Sequence, residues 1–368
     1  MKVLFLTNIP SPYRVDFFNE ISKSCELTVI YEREASTERS EQWIGLASGG
    51  YEQIFLSGVS ARVDAGFNPG IIKYLKRGKY NVTVVGGYAT PTAMLAITVL
   101  HKRKIPFILN ADGGFICENE APLKRKLKQH FISKASRWLS TGPMTSEYLM
   151  HYGAKPEGIF IYPFSSVRDG EIPDAPISRE QKLILRGSKN LRCETLVLAV
   201  GQFIERKGFL EFLKTWVGKS REGMGLVVIG GGPEEAQYRA IAGEHSNVWI
   251  LPFLKKEVLA DYYRAADAFV LPTNEDIWGL VINEAMSYGL PVFSTDKCIA
   301  AVTMRDDSVE IFPAEDNEAL MDAILAFSEN VSFNYDFGEI SLGKSRQYTI
   351  ERMAARHISV FEEIEREK

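Results

Sequence analysis

Residues 271–295, LPTNEDIWGLVINEAMSYGLPVFST, decide how the chain is read. They open on the end of an apolar strand and pass through an acidic loop, Asn274-Glu275-Asp276. A helix is then expected from about Trp278 to Gly289, followed by a strand from Pro291 to Thr295. Asp276 and Glu284 stand eight positions apart, about two helical turns. One carboxylate therefore precedes the helix and the other lies inside it on a similar side. Gly279 and Leu280 put backbone N–H groups at the helix start, where an anionic group is stabilised. Two carboxylates beside such a helix end suit a nucleotide sugar. The acids accept hydrogen bonds from sugar and ribose hydroxyls, and the helix end takes the pyrophosphate.

On both sides of this stretch, apolar strands alternate with helices. Upstream, residues 195–203, 225–230, 248–252 and 268–273 read as strands, separated by helices over 208–217, 231–242 and 256–265. Downstream come a strand at 309–312 and helices at 317–328 and 347–365. The front of the chain repeats the pattern, with strands at 2–8, 26–31, 51–56, 81–86, 106–110, 137–141 and 159–163. Helices are expected there at 15–22, 69–77, 91–101, 123–138 and 145–152. Continuous apolar strands joined by helices predict parallel sheets covered on both faces. Residues 166–189 are charged, weakly patterned and contain prolines, which places a domain boundary there. The expected architecture is α/β: two Rossmann-like, doubly wound domains, 1–165 and 166–346, facing a cleft. The C-terminal helix, 347–368, is expected to pack back on the first. Ligands of such folds bind at the carboxyl ends of the strands.

At 368 residues two domains are the natural expectation. The net charge of −4 hides an asymmetry: residues 1–170 carry 21 Lys/Arg against 15 Asp/Glu, and the remainder 22 against 32. A basic front half points to an anionic surface or acceptor. The four cysteines are scattered without a C-x-x-C, and the five histidines show no ligand spacing, so no metal site is expected. No stretch of about 18 apolar residues is present, which argues against a membrane-spanning helix. The opening apolar run is too short for a secretion signal and reads as a first strand.

The second half carries Gly201-Gln202 with Lys207-Gly208, then Val228-Ile229-Gly230-Gly231-Gly232-Pro233, then Asp276 to Glu284-Ala285-Met286 with Gly289, Pro291 and Val292. In order and spacing this resembles the retaining glycosyltransferases of family 4, of the GT-B fold, whose second domain reads G-R-x4-K-G, V-x-G-x-G-P and E-x7-E-A-M-x2-G-x-P-V. In the first half NIPSPYRVDFF (from Asn8), ADGGF (from Ala111) and STGPMTSEYL (from Ser140) look like the members that build bacterial surface polysaccharides. Two positions depart from the pattern. Asp276 replaces the first glutamate, with Glu275 beside it, and Gln202 replaces the arginine, with Arg206 beside Lys207 as a substitute guanidinium.

The resemblance implies transfer of a hexose or N-acetylhexosamine from a nucleotide-diphosphate sugar, UDP-linked, to a hydroxyl of a glycan or polyprenyl-diphosphate-linked acceptor. It also implies no cofactor and no divalent metal. The catalytic candidates are Lys207, Arg206, Asp276 and Asp112. Lys207 and Arg206 would stabilise the departing phosphate. Asp276 or Glu275 would contact the transferred sugar, and Glu284 the ribose. Asp276 also suits a helix cap, and a lone helical Glu is more often simply exposed. Gln202, Gly231, Gly232, Pro252, Phe253, Trp278, Gly279 and Leu280 complete the candidate donor site, although the glycines equally suit tight-turn packing. Pro12, Tyr13, Arg14 and Gly113 are the acceptor-binding candidates, with Asp112 orienting the acceptor hydroxyl or acting as a weak base. A turn aspartate before glycines is the plainer reading of Asp112.

The helix expected over 123–138 carries Leu123, Leu127, Phe131, Ala135 and Trp138 on one stripe, with Lys124, Arg125, Lys126, Lys128, Lys134 and Arg137 elsewhere. It suits ordinary packing with a solvated basic face, or peripheral contact with anionic lipid on the cytoplasmic side of a membrane. Nucleic acid is not expected, because the basic patch lacks interleaved aromatics. A nucleotide-sugar 2-epimerase of the same fold and a non-catalytic sugar-nucleotide binder are the alternative functions.

Overall fold

The computed structural model describes residues 1–33, 49–57, 59–62, 65–117, 119–243, 245–329 and 334–367. The chain divides into two compact units, Met1–Ser165 with Thr349–Lys368, and Ser166–Tyr348.

In the first unit the strands are β1 (Lys2–Thr7), β2 (Glu26–Tyr31), β3 (Glu52–Phe55), β4 (Val59–Arg62), β5 (Ala65–Phe67), β6 (Val82–Gly86), β7 (Ile108–Ala111), β8 (Arg137–Ser140) and β9 (Ile159–Ile161). The helices are α1 (Pro12–Ile21), α2 (Pro91–Lys102), α3 (Pro122–Ile132) and α4 (Pro143–His151). Seven strands form one parallel sheet in the order β3-β2-β1-β6-β7-β8-β9, and β4 and β5 pair antiparallel apart from it. Apolar runs build the middle of the sheet: Val3, Leu4, Phe5 and Leu6 are at most 1% exposed. Only residues with apolar side chains on both faces can be covered from both sides without orphaned polar groups. Winding reverses between β1 and β6, which opens a crevice at their carboxyl ends.

The second unit holds α5 (Arg179–Ser188), β10 (Thr195–Gln202), α6 (Phe209–Lys219), β11 (Met224–Gly231), α7 (Glu235–Ala242), β12 (Val248–Leu251), α8 (Lys256–Ala265), β13 (Ala268–Leu271), α9 (Leu280–Ser287), β14 (Val292–Thr295), α10 (Ile299–Thr303), β15 (Val309–Phe312), α11 (Asn317–Glu329) and α12 (Asn334–Ser345). Its six strands are parallel in the order β12-β11-β10-β13-β14-β15. The central pair runs from Thr195 opposite Met224 to Gln202 opposite Gly231. Winding reverses between β10 and β13. After α12 the chain returns to the first unit as α13 (Ile350–Arg366), which packs on α1.

Several elements differ from expectation. The stretch 166–189 is not featureless: α5 fills its second half, started by a reciprocal cap in which Ser178 and Gln181 bond each other's backbone N–H. Arg186 on this helix is 2% exposed and ion-paired to Asp267. It also donates to the carbonyls of Ala265 (2.8 Å) and Glu194 (2.5 Å). α1 starts at Pro12 rather than Val15, because proline fits a first helical turn that has no use for its missing N–H. α3 stops at Ile132, and Trp138 belongs to β8, where its indole donates to the Ile132 carbonyl at 2.9 Å. The stripe expected over 123–138 is therefore split: Phe131, Ala135 and Trp138 are buried, while Leu123 is 82% and Leu127 46% exposed. Residues 69–77 form only a 3-10 turn, Pro69–Lys73. Likewise α9 starts at Leu280, because Gly279 at φ 96° cannot belong to a right-handed helix.

Candidate active site

The loops leaving β10 and β13 meet at the point where winding reverses. The first is a 3-10 turn, Glu205–Lys207, and its Arg206 carbonyl accepts from Asn274 N (2.9 Å) and from Thr273 Oγ1 (3.0 Å) in the second loop. Gly208 makes this approach possible. Its φ is 68°, and a Cβ there would collide with the Pro272 carbonyl oxygen. The Lys207 ammonium consequently meets Asp276 Oδ2 in an ion pair whose side chains are 12% and 9% exposed. The Asp276 backbone is pinned on both sides, its N donating to the Lys297 carbonyl (2.8 Å) and its own carbonyl accepting from Ile299 N (3.2 Å).

Glu275 is exposed, and its contribution here is its carbonyl, which accepts from Arg206 at 2.6 Å. Of the two neighbouring acids the fold turns Asp276 onto Lys207. Arg206 is exposed and braces the second loop. Trp278 is 3% exposed, its indole donates to Asn283 Oδ1 at 2.8 Å, and its side chain is buried. Gly279 caps α9 and Leu280 begins it.

Glu284, one turn into α9, is half-buried, and both oxygens have partners. Ser166 Oγ donates to Oε1 at 3.2 Å and Tyr263 OH to Oε2 at 3.0 Å. Burial raises its pKa above the ordinary value, and the two hydroxyls and Lys256 work against that rise. Gln202 is exposed at the end of β10. Gly231 and Gly232 lie where the chain leaves β11 for α7, the carbonyl of Gly231 accepting from Phe203 N at 2.9 Å. Pro252 is exposed and Phe253 is 59% exposed just after β12.

In the first unit Arg14 stands in the opening turn of α1, 4% exposed, with its guanidinium against the rings of Tyr13 (5.5 Å), Phe164 (5.6 Å) and Phe17 (6.0 Å). Its Nη2 pairs with Asp112 Oδ2, and Nη1 is buried with no hydrogen-bond partner among the described residues. Burial disfavours the charge, but Asp112, Tyr13 and Tyr162 together outweigh it and hold the guanidinium above its usual range. Asp112 Oδ1 accepts from Asn110 Nδ2 (2.8 Å) and Tyr162 OH (3.0 Å). Asn110 in turn meets His357 of α13, Nε2 lying 3.3 Å from Oδ1. Burial pushes that imidazole down to about 3. Pro12 and Tyr13 are half-buried in the same turn, and Gly113 follows Asp112.

Five partners were not visible as motifs. Ser166, Tyr263, Asn110 and Tyr162 hold the carboxylates through contacts spanning 2 to 118 positions along the chain, and His357 meets Asn110 across 247. Apart from the two-residue step between Asn110 and Asp112, no local spacing announces them. Among the described residues no group of three or more His, Cys, Asp or Glu comes together that could hold a metal ion.

Residues 194–330 match the family profile "Glycosyl transferases group 1". The chain is similar to the amylovoran biosynthesis glycosyltransferase AmsD of Erwinia amylovora. The two are 27% identical over 158 residues, 40% of this chain and 44% of that protein. It is also similar to the lipopolysaccharide core biosynthesis mannosyltransferase LpsB of Rhizobium meliloti, 31% identical over 128 residues, 34% of this chain and 33% of that protein. The chain thus spans less than half the length of these relatives. Over the whole chain the fold is similar to Anabaena Alr3699/HepE, a structure solved with UDP and glucose. That match has a TM-score of 0.73 at 13% identity and covers 100% of this chain and 99% of that one. The architecture is the two-domain α/β fold of the GT-B glycosyltransferases.

Proposed function

We propose that the protein is a retaining glycosyltransferase of family 4. It moves a hexose or N-acetylhexosamine from a UDP-linked sugar to a hydroxyl of a glycan or polyprenyl-diphosphate-linked acceptor in surface-polysaccharide assembly. The observation that carries this reading is the Lys207–Asp276 pair at the reversal point of the second sheet, within the region that matches the glycosyltransferase profile. The names of the relatives, from amylovoran and lipopolysaccharide synthesis, support the acceptor class, and a fold neighbour solved with UDP and glucose supports the donor class.

In this reading Lys207 and Arg206 neutralise charge developing on the departing diphosphate. Asp276 accepts hydroxyls of the transferred sugar and Glu284 those of the ribose. Asp112, whose carboxylate is held by Arg14, Asn110 and Tyr162, orients the acceptor hydroxyl, with Tyr13 and Arg14 beside it. Catalysis then lies in positioning and preorganised charge, and transfer proceeds without a divalent cation. α3 adds a surface for anionic lipid. Leu123 and Leu127 are exposed beside exposed Lys124, Arg125 and Lys126, a mixture that holds an interfacial helix to a membrane. No helix among the described residues is long and apolar enough to cross one.

A thermal-shift screen against nucleotide sugars is the direct test, because a ligand that binds only the folded state raises its stability. Stabilisation by UDP-sugars, followed by transfer to a lipid-linked acceptor with the anomeric configuration kept, is the expected result. Interconversion of UDP-N-acetylglucosamine without an acceptor would mean an epimerase, and binding without turnover when acceptor is supplied would mean a non-catalytic binder.

A further inference from the structure

We infer that Tyr263 and Ser166 are positioning residues for Glu284, fixing its carboxylate so that one acceptor site on each oxygen stays free for a vicinal diol. The inference rests on the proposed reading of Glu284 as the donor-ribose acid and adds the two residues that make it competent.

A carboxylate offers about four acceptor sites, two on each oxygen. Tyr263 OH takes one on Oε2 at 3.0 Å and Ser166 Oγ one on Oε1 at 3.2 Å. Holding both oxygens fixes the rotation of the group about its last bond, which a single hydrogen bond would leave free. The two sites that remain lie on different oxygens, the arrangement that two adjacent hydroxyls can engage together.

The support is rigid. Tyr263 is 2% exposed in α8 and stacks on Tyr288, ring centroids 5.2 Å apart and 6° from parallel. Burial, with Glu284 and Tyr288 nearby, keeps the phenol protonated and therefore a donor. Ser166 opens the second unit.

The donors also control charge. Burial raises the pKa of Glu284, so the acid drifts toward its protonated form, which has lost acceptor capacity. The groups that face it are Tyr263, Ser166, Lys256 and Glu171, the last two ion-paired with each other. Tyr288 adds a second phenol, with Arg264 and Asp261 beyond it. Tyr263, Ser166 and Lys256 favour the ionised form and Glu171 opposes it. Removing a hydroxyl donor therefore raises the pH at which Glu284 ionises.

The test uses the full chain with UDP as probe. Protein labelled with 13C at the glutamate side-chain carboxyl is titrated by NMR, with Glu284→Gln identifying the resonance. UDP affinity is measured across the same pH range. Tyr263→Phe keeps the ring and its stacking, and Ser166→Ala supplies a second variant in case the first disturbs folding. Each is expected to move the Glu284 midpoint upward, with UDP affinity reduced about tenfold or more below the midpoint, as the loss of a hydrogen bond to a charged group requires. Ser166→Thr, which keeps the hydroxyl, should restore the wild-type profile. UDP binding by wild type with the midpoint and pH profile unmoved in both variants would overturn this inference alone. Absence of UDP binding by wild type at every pH would overturn the donor reading, and this inference with it.

Discussion

The Lys207 ammonium and the Asp276 carboxylate, 69 positions apart in sequence, form an ion pair between the loops that leave β10 and β13. Neither side chain is more than 12% exposed, so each is the other's main counter-charge. Lys207→Ala is expected to lower transfer at least 100-fold, the scale on which removal of one preorganised group acts. It should also destabilise the fold, because Asp276 is left uncompensated. The Lys207→Ala/Asp276→Asn double variant should be more stable than Lys207→Ala alone. Chemical denaturation of the four proteins of this cycle decides it, and a loss in the double variant equal to the sum of the two single losses would mean that the pair is not coupled.

Glu275 and Asp276 are neighbours with different surroundings. The Glu275 side chain is exposed and only its carbonyl is used by Arg206, a contact that survives truncation. Glu275→Ala should keep transfer within about threefold of wild type, while Asp276→Ala should lose at least about 100-fold. The opposite ranking in a steady-state assay would pass the sugar contact to Glu275.

Arg186 spends its guanidinium on Asp267 and two carbonyls, and Asp267 also accepts from Leu196 N at 2.9 Å. Truncation takes the guanidinium from a buried carboxylate, which keeps only Leu196 N and Lys182, and from two carbonyls. Arg186→Ala is expected to cost about 3–5 kcal/mol of stability, as for other broken buried pairs. A loss below about 1 kcal/mol by denaturant titration would contradict this account.

His357 is fully buried between Tyr162 and Phe17, and burial depresses its pKa from 6.5 to about 3. A group held neutral in the fold but free to protonate when unfolded stabilises the protein above the unfolded value. That stability is lost as pH falls through 6.5 toward 3. The loss should be on the order of 3–5 kcal/mol for a shift of this size. His357→Phe should flatten the stability profile between pH 7 and pH 4, and an unchanged slope would assign the acid sensitivity elsewhere.

Leu123 and Leu127 project from α3 beside three exposed basic residues. The Leu123→Ser/Leu127→Ser variant should weaken co-sedimentation with anionic phospholipid vesicles at least tenfold while leaving turnover on a soluble acceptor unchanged. Salt should weaken the wild-type interaction as well, since part of it is screened charge. Equal binding to neutral vesicles would refute the electrostatic part.

Read from sequence alone, the central strands of both sheets emerged because an apolar run buried on both faces is a local property. Residues 256–265 and 309–312 match α8 and β15 at both ends for the same reason. Other elements escaped. α5 carries its charged residues on a face whose partner, Asp267, is 81 positions from Arg186. The apolar stripe over 123–138 concealed the end of α3 because burial alone does not distinguish a helix face from a following strand, and Trp138 satisfies both.

The same division runs through the candidate site. By itself the sequence determined that Lys207, Asp276 and Glu284 sit at strand ends and a helix start, since strand periodicity, glycines and helix signals are written in neighbouring residues. Only the tertiary structure decided that Lys207 meets Asp276 and not Glu275. It also decided that the Trp278 indole is turned inward, and that Tyr263 and Ser166 hold the two oxygens of Glu284. The physical reason is range. Backbone preferences act over a few residues, whereas the direction of a charged side chain depends on which distant groups the fold brings within about 3 Å of it.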